Sequence, residues 1–349
     1  MRKRYAYLIW PLLGILTLGL RTLAGQFPHS TEYIYSRGLF VGIRYIWDYS
    51  LGLIPAPLLY FLLLALVVIG VKKIRKPHSA KARLTHIGKG FLQLSGIAVV
   101  SFFFLWGFNY ARIPLPKQIG LEAQQPQGDS LQIWLKRETL HLLESRKTLP
   151  FSELDSIPAF SLDIGPLRAS LSNRLKAWDI PAPGYVKAYP IAPKGGLIGL
   201  GATGIYLPWT GQGQYDASLH HLERPATAAH EMSHALGFTD EGVCNFLGYL
   251  ACIESEEPLL NYAGQLAVWR ALARSAYAFD TEIYHRAYGE LPAGIRADLG
   301  AIRRRQKRYK GWFPAFSRAV YDRYLRQQGV KGGVASYGRG VLLWEEYRR

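Results

Sequence analysis

Hydrophobic and polar positions are unevenly spread along this chain. Three apolar runs occupy the first third: Tyr5 to Leu20, with its helix expected to reach about Leu23, then Leu51 to Val71, then Phe91 to Tyr110. The latter two are uncharged for about 20 residues, the length a helix needs to cross a hydrocarbon core of about 30 Å. The first is shorter and halts at Arg21. Thr22-Leu23-Ala24-Gly25 is a poor cleavage site, and an arginine directly before it is unusual, so the run reads as a retained helix rather than a signal peptide. Pro55 and Pro57 fall near the start of the second run, where a helix end tolerates them.

Beyond Arg112 the pattern turns globular. Pro114, Pro116 and Pro126 mark a linker. Leu131, Trp134, Leu135, Leu140, Leu142 and Leu143 give a broad apolar stripe, predicting a helix from Leu131 to Leu149, and a second helix is expected from Leu167 to Trp178. Tyr185-Val186-Lys187-Ala188-Tyr189 alternates, and after a glycine-rich stretch comes Gly204-Ile205-Tyr206-Leu207-Pro208-Trp209. Both read as short strands with tight turns. From Pro225 onward helices dominate. The expected fold is α+β and mostly helical: three N-terminal transmembrane helices over 1–112, about 5–23, 51–71 and 91–110, then a second domain over 113–349.

Charge gives the anchor a direction. Arg2, Lys3 and Arg4 precede the first run, and Lys72, Lys73, Arg75, Lys76, Lys81, Arg83 and Lys89 crowd the loop before the third, with no acid among them. In the intervening loop Arg37 and Arg44 are balanced by Glu32 and Asp48. The positive-inside rule then sets the N-terminus in the cytoplasm, and three crossings put the second domain outside a bacterial cytoplasmic membrane. The net charge of +17, from 42 basic and 25 acidic residues, favours anionic surfaces. No nucleic-acid module is present, so nucleic acid is not an expected partner. Arg303-Arg304-Arg305-Gln306-Lys307-Arg308-Tyr309-Lys310 reads first as a solvated helix face, with contact to anionic headgroups as the alternative. Cys244 and Cys252, on one expected helix, are about 12 Å apart. That is too far for a disulfide, so both are expected to be small buried residues.

The chemistry concentrates in Ala226-Thr227-Ala228-Ala229-His230-Glu231-Met232-Ser233-His234-Ala235-Leu236-Gly237. Pro225 suits a first helical position and Gly237 a stop. His230 and His234 then lie one turn apart on one face and can share a metal ion, while Glu231 projects beside them to take a proton from metal-bound water. An intramembrane protease would carry this motif within an apolar span, but His230 is flanked by Glu223, Arg224, Asp240 and Glu241. Zinc with an open position needs a third protein ligand. Asp240 and Glu241 both compete for that role. Glu241 opens a new helix on which Asn245, one turn on, could steady the metal-binding carboxylate. His220 and His221 read as loop surface, and Tyr321, Tyr324 and Tyr337 as packing residues that are also candidates to stabilise an oxyanion.

Glu241 followed by Cys244-Asn245 resembles the glutamate helix of gluzincin-type membrane peptidases. The whole chain resembles the DUF3810 family of bacterial, largely Bacteroidetes, membrane proteins. The likeness rests on the leading spans, on Phe108-Asn109-Tyr110-Ala111-Arg112-Ile113-Pro114-Leu115 and on Tyr206-Leu207-Pro208-Trp209-Thr210-Gly211. It continues through the histidine segment to Phe238, then Asn245-Phe246-Leu247-Gly248-Tyr249-Leu250-Ala251-Cys252 and Tyr321-Asp322-Arg323-Tyr324-Leu325. Where the family usually reads near E-D-E-A-N-F, this chain has Glu241-Gly242-Val243-Cys244-Asn245-Phe246: the first glutamate is kept and the second lost. The resemblance therefore favours Glu241 over Asp240 and implies a zincin-like domain.

The expected function is a membrane-anchored metallopeptidase or related amide hydrolase holding one zinc ion, with a peptide or envelope-protein substrate. Cell-wall crosslinks are a variant of that substrate class, and the strand from Gly204 to Leu207 is the expected peptide-pairing edge. The rival is a non-catalytic tethered binding or sensory protein.

Overall fold

The leading apolar runs become helices, though not with the expected lengths. The computed structural model describes residues 5–74, 80–122, 130–312, 314–327 and 338–349. Arg2, Lys3, Arg4, Arg75, Lys76, Pro126 and Tyr337 lie outside them. Two units form: Met1–Ile113 with Leu207–Gln212, and Pro114–Tyr206 with Gly213–Arg349.

In the first unit, α1 (Ile9–Gln26) is followed by the short α2 (Pro28–Ser30), a π-helical stretch Thr31–Leu39, α3 (Phe40–Asp48), α4 (Leu58–Ile74) and α5 (Ala80–Leu105). Among the described residues, two helical stretches, Ala6–Gln26 and Thr85–Leu105, are long and apolar enough to cross a membrane. α4 is not, and the expectation of three spans is corrected here. Its 17 residues reach about 25 Å, short of the hydrocarbon thickness. Pro55 and Pro57 are the cause: the chain passes from a 3-10 turn, Leu51–Leu53, through a non-helical stretch, and regular hydrogen bonding starts only at Leu58. The third run likewise stops at Leu105 rather than Tyr110, giving way to a 3-10 turn at Gly107–Ala111.

Gly96 brings α1 and α5 together, since a Cβ there would meet the backbone of Trp10 and Pro11. Leu12, Ile15, Leu64 and Val67 point outward, each over 60% exposed, as side chains that face lipid do. Glu32 is buried and accepts hydrogen bonds from Arg112 Nε (3.0 Å), Arg112 Nη2 (2.8 Å) and Arg37 Nε (3.1 Å). The segment 207–212 belongs to this unit through several bonds. Arg44 Nη1 donates to the Gly211 carbonyl (2.7 Å) and Trp47 Nε1 to that of Pro208 (2.9 Å). Trp209 Nε1 donates to Ser101 Oγ (2.8 Å), and Gln212 Oε1 accepts from the Leu58 amide (2.9 Å). Hydropathy alone gives no sign of this exchange.

The second unit is mostly helical around a small sheet. Its elements are α6 (Leu115–Gln118), α7 (Ser130–Lys147), α8 (Gly165–Ala177), β1 (Ala188–Ile191), α9 (Gly196–Gly199), β2 (Gly204–Leu207) and β3 (Gln212–Asp216). They continue with α10 (Arg224–Ala235), α11 (Glu241–Ile253), α12 (Pro258–Phe279), α13 (Thr281–Gly289), α14 (Ala293–Arg308), α15 (Pro314–Gln327) and α16 (Arg339–Tyr347). α7 buries Leu131, Trp134, Leu135 and Leu142 but leaves Leu140 outside, so its apolar stripe is narrower than predicted. α11 and α12 form the centre of the core, with Phe246, Leu247, Leu250, Trp269 and Leu272 almost wholly excluded from solvent.

The strand order is β1-β3-β2. β1 runs parallel to β3, with Ala188 opposite Gly213 and Ile191 opposite Asp216. A four-residue connection joins β2 to β3, too short for a crossover, so those two form an antiparallel hairpin. The strand expected at 185–189 is displaced to Ala188–Ile191. β3 was not predicted, because Gln212-Gly213-Gln214-Tyr215-Asp216 offers polar residues to both faces. It is nonetheless the central strand and buried along its length.

Candidate metal centre

α10 carries the two histidines into the interior of the second unit. Its start is fixed by Glu223, a buried carboxylate ion-paired with Arg270 of α12 (3.0 Å) and with Arg305 of α14. Burial works against that charge, but the two guanidiniums outweigh it and hold the Glu223 pKa below its ordinary value. The helix ends as the sequence predicts. Gly237 takes φ +89°, a left-handed turn that glycine adopts without strain, and the Phe238 amide closes back on the Ser233 carbonyl (3.2 Å). The same turn aims the Phe238 carbonyl at His234, whose Nδ1 donates to it at 2.8 Å.

A carbonyl oxygen can only accept, so His234 Nδ1 holds a proton. In the neutral ring, Nε2 then carries the lone pair. His230 is fixed in the same way: its Nδ1 lies 2.9 Å from Asn245 Oδ1 on α11. The two Nε2 atoms are 3.1 Å apart, and Glu241 Oε2 lies 3.1 Å from His230 Nε2 and 3.5 Å from His234 Nε2. Two ring nitrogens and a carboxylate oxygen thus converge. Burial works against charge on His234, but Cys244 and Glu241 outweigh it and hold its pKa well above the ordinary value, so the set draws a positive centre, a proton or a metal ion. Ligands about 2.1 Å from a tetrahedral zinc ion stand about 3.4 Å from one another, and the three separations bracket that value. Two imidazoles and a carboxylate also form a donor set that zinc accepts. The residues fit the ion.

Glu241 opens α11, and the preceding Asp240 caps that helix by accepting from the Val243 amide at 3.0 Å. The other Asp240 oxygen accepts from Arg339 Nη1 at 2.9 Å. Of the two competing acids, Glu241 therefore faces the histidines while Asp240 is engaged in holding the helix start. Burial disfavours charge on Glu241, but His234 and His230 outweigh it and hold its pKa well below the usual carboxylate range. Asn245, expected to steady that carboxylate, instead partners His230 Nδ1. Cys244 is buried with its Sγ 3.3 Å from His234 Nδ1. Burial pushes its thiol up to about 11, so it packs against the ring as a neutral group.

Glu231 lies under the hairpin. A Cβ on Gly204 of β2 would run into its carboxylate, and one on Gly213 of β3 would come within 2.6 Å of its Cβ. The strands clear the side chain only because both positions are glycine. Neither glycine was singled out for this role from the sequence. Glu231 Oε2 has no hydrogen-bond partner among the described residues. Burial pushes its pKa up to about 7 against the pull of His230 and His234, with Glu241 adding to the rise.

The other candidates fall elsewhere. His220 and His221 are half-buried rather than loop surface: His221 Nε2 donates to the Ile157 carbonyl (3.1 Å). Burial, with His221 beside it, lowers His220 to about 4, so it is neutral. Tyr321 and Tyr324 fall on α15.

A family model described as "Protein of unknown function (DUF3810)" matches residues 35–344. The chain belongs to the DUF3810 family. The match begins past α1 and takes in parts of both units, including α4, α5 and the histidine–glutamate cluster of this DUF3810 protein. No curated protein and no solved structure matches the chain.

Proposed function

We propose that this DUF3810 protein is a membrane-anchored, zinc-dependent metallopeptidase or related amide hydrolase. One observation carries the reading: the Nε2 atoms of His230 and His234 meet Glu241 Oε2, while the adjacent Glu231 keeps a carboxylate oxygen without a partner among the described residues. His230, His234 and Glu241 would hold the ion. Bound zinc supplies a Lewis acid that polarises the scissile carbonyl and makes water a better nucleophile. Glu231 takes the proton from the attacking water and returns it to the leaving amine. Asn245 and the Phe238 carbonyl keep both imidazoles in the tautomer that turns Nε2 inward. β2 is an edge of the sheet, so an extended peptide could add to it by backbone pairing with little sequence preference. The substrate class is therefore peptides, envelope proteins or cell-wall crosslinks.

The charge pattern supports a cytoplasmic N-terminus and an extracytoplasmic second unit. An extracytoplasmic second unit needs a third crossing, and α4, at 17 residues, is short of that length in a bilayer of ordinary thickness.

The test is Glu231→Gln in the full chain, assayed against a broad peptide and cell-wall library beside metal analysis. Cleavage should fall by about 100- to 10,000-fold, the range lost when a catalytic proton-transfer group is removed, with zinc content near wild type. Equal activity in the variant ends the mechanism. A second reading, a tethered binding protein without turnover, draws on the near-complete burial of Glu231 beneath Gly204 and Gly213. Stoichiometric zinc with no cleavage of any library member favours it.

A further inference from the structure

The exposed face of α14 offers a surface that the metal reading does not use. The inward face of this helix is apolar, with Ile295, Leu299 and Ile302 buried, and its one acid, Asp298, accepts from the Tyr262 hydroxyl (2.7 Å) and the Ile157 amide (2.8 Å). Outward, Arg303, Arg304, Lys307 and Arg308 stand exposed on adjacent turns. They form two like-charged pairs at i,i+4, each unfavourable in isolation. The helix C-terminus attracts cations and offsets part of this repulsion. Among the described residues, Arg304 and Lys307 have no acidic partner, so the repulsion is not neutralised from within the fold. Just beyond the helix, Lys310 is exposed and Trp312 is 63% exposed. Trp312 is nonetheless fixed: its amide donates to the Gly199 carbonyl (2.8 Å), and its ring lies so close to Gly199 that no Cβ fits between them.

We infer that this basic ridge, with the pinned indole of Trp312, docks on the phosphate headgroups of an anionic lipid bilayer. Basic side chains gain energy near anionic headgroups, and tryptophan is favoured at the membrane–water boundary. A soluble polyanion would match the charge but give no role to an indole held outward. The apolar helices of the same chain keep the ridge within tether reach of a bilayer, so even weak contacts are populated through a high effective concentration. This inference is independent of whether the centre holds zinc.

The full chain in nanodiscs tests it, using discs of phosphatidylcholine alone or mixed with phosphatidylglycerol. The acetylation rates of Lys307 and Lys310 by an uncharged reagent are read by mass spectrometry. Both lysines should react at least about threefold more slowly in the anionic discs, and raised salt should remove the difference. The double variant R304E/R308E, with both substitutions on the solvent side, should abolish the difference while circular dichroism stays unchanged. Trp312→Ala, which removes no charge, should weaken it. Equal rates in both discs overturn the inference. So does protection reproduced in phosphatidylcholine discs by inorganic phosphate, which would identify a free anion as the ligand.

Discussion

His230 and His234 each use Nδ1 on an oxygen acceptor, and that choice makes the centre more than a motif. The i,i+4 spacing was legible, because a helix with Pro225 near its start and Gly237 past its end leaves the two rings one geometry. Glu241 was legible only with the family pattern, since Asp240 offers the same chemistry one residue earlier. Not legible were the Phe238 carbonyl, a backbone group with no sequence signature, and the clearance that Gly204 and Gly213 give Glu231. Asn245→Ala should leave His230 free to rotate and lower zinc affinity about 10- to 100-fold, as loss of a partner to a ligand histidine does. Competition with a chromophoric chelator measures it. Unchanged affinity would show that Asn245 does not fix the ring.

Among the elements, α16 matters to the site despite lying a hundred residues downstream. Gly340 packs directly on α11: a Cβ there would stand 2.6 Å from Asn245 Cβ and 3.0 Å from the Gly242 carbonyl oxygen. Gly340→Ala should therefore cost about 1–3 kcal/mol, the range for overpacking, and weaken zinc binding through Asn245. A denaturant melt and the chelator competition read the two effects, and a variant that loses neither would disprove the coupling. The other end of α16 carries Glu345, buried opposite Glu138, with Arg137 and Arg348 beside them. Burial raises Glu345 to about 7; Arg137 opposes the rise and Glu138 adds to it. A folded-state pKa above the ordinary 4.5 means the stabilisation is complete in acid and fades as pH climbs through about 7. Glu345→Gln should flatten that part of the stability–pH curve. A wild-type curve already flat between about 4.5 and 7 would contradict the assignment. At this scale the long periodic helices were readable from the chain. β3 was not, because a buried polar strand alternates nothing, and the span expected at 51–71 was overestimated because two prolines delay its hydrogen bonding to Leu58.

For the whole molecule, the number of crossings decides which side of the membrane the second unit occupies. If α4 spans with the other two apolar helices, a protease site at the C-terminus should be cut in intact spheroplasts. If only the two longer helices span, cleavage should require permeabilisation, and the extracytoplasmic assignment falls. The helical, two-unit character was legible from the jump in hydropathy at Arg112. The membership of 207–212 in the first unit was not, because it rests on Arg44, Trp47 and Ser101 meeting groups far along the chain. That membership sets an order on biosynthesis. During translation at about 5–20 residues per second, α1 to α5 emerge many seconds before Gly211 leaves the ribosome. Until it does, the buried guanidinium of Arg44 lacks its carbonyl and the Leu58 amide its glutamine. A nascent chain arrested before 212 therefore holds an anchor whose buried polar groups still lack their partners.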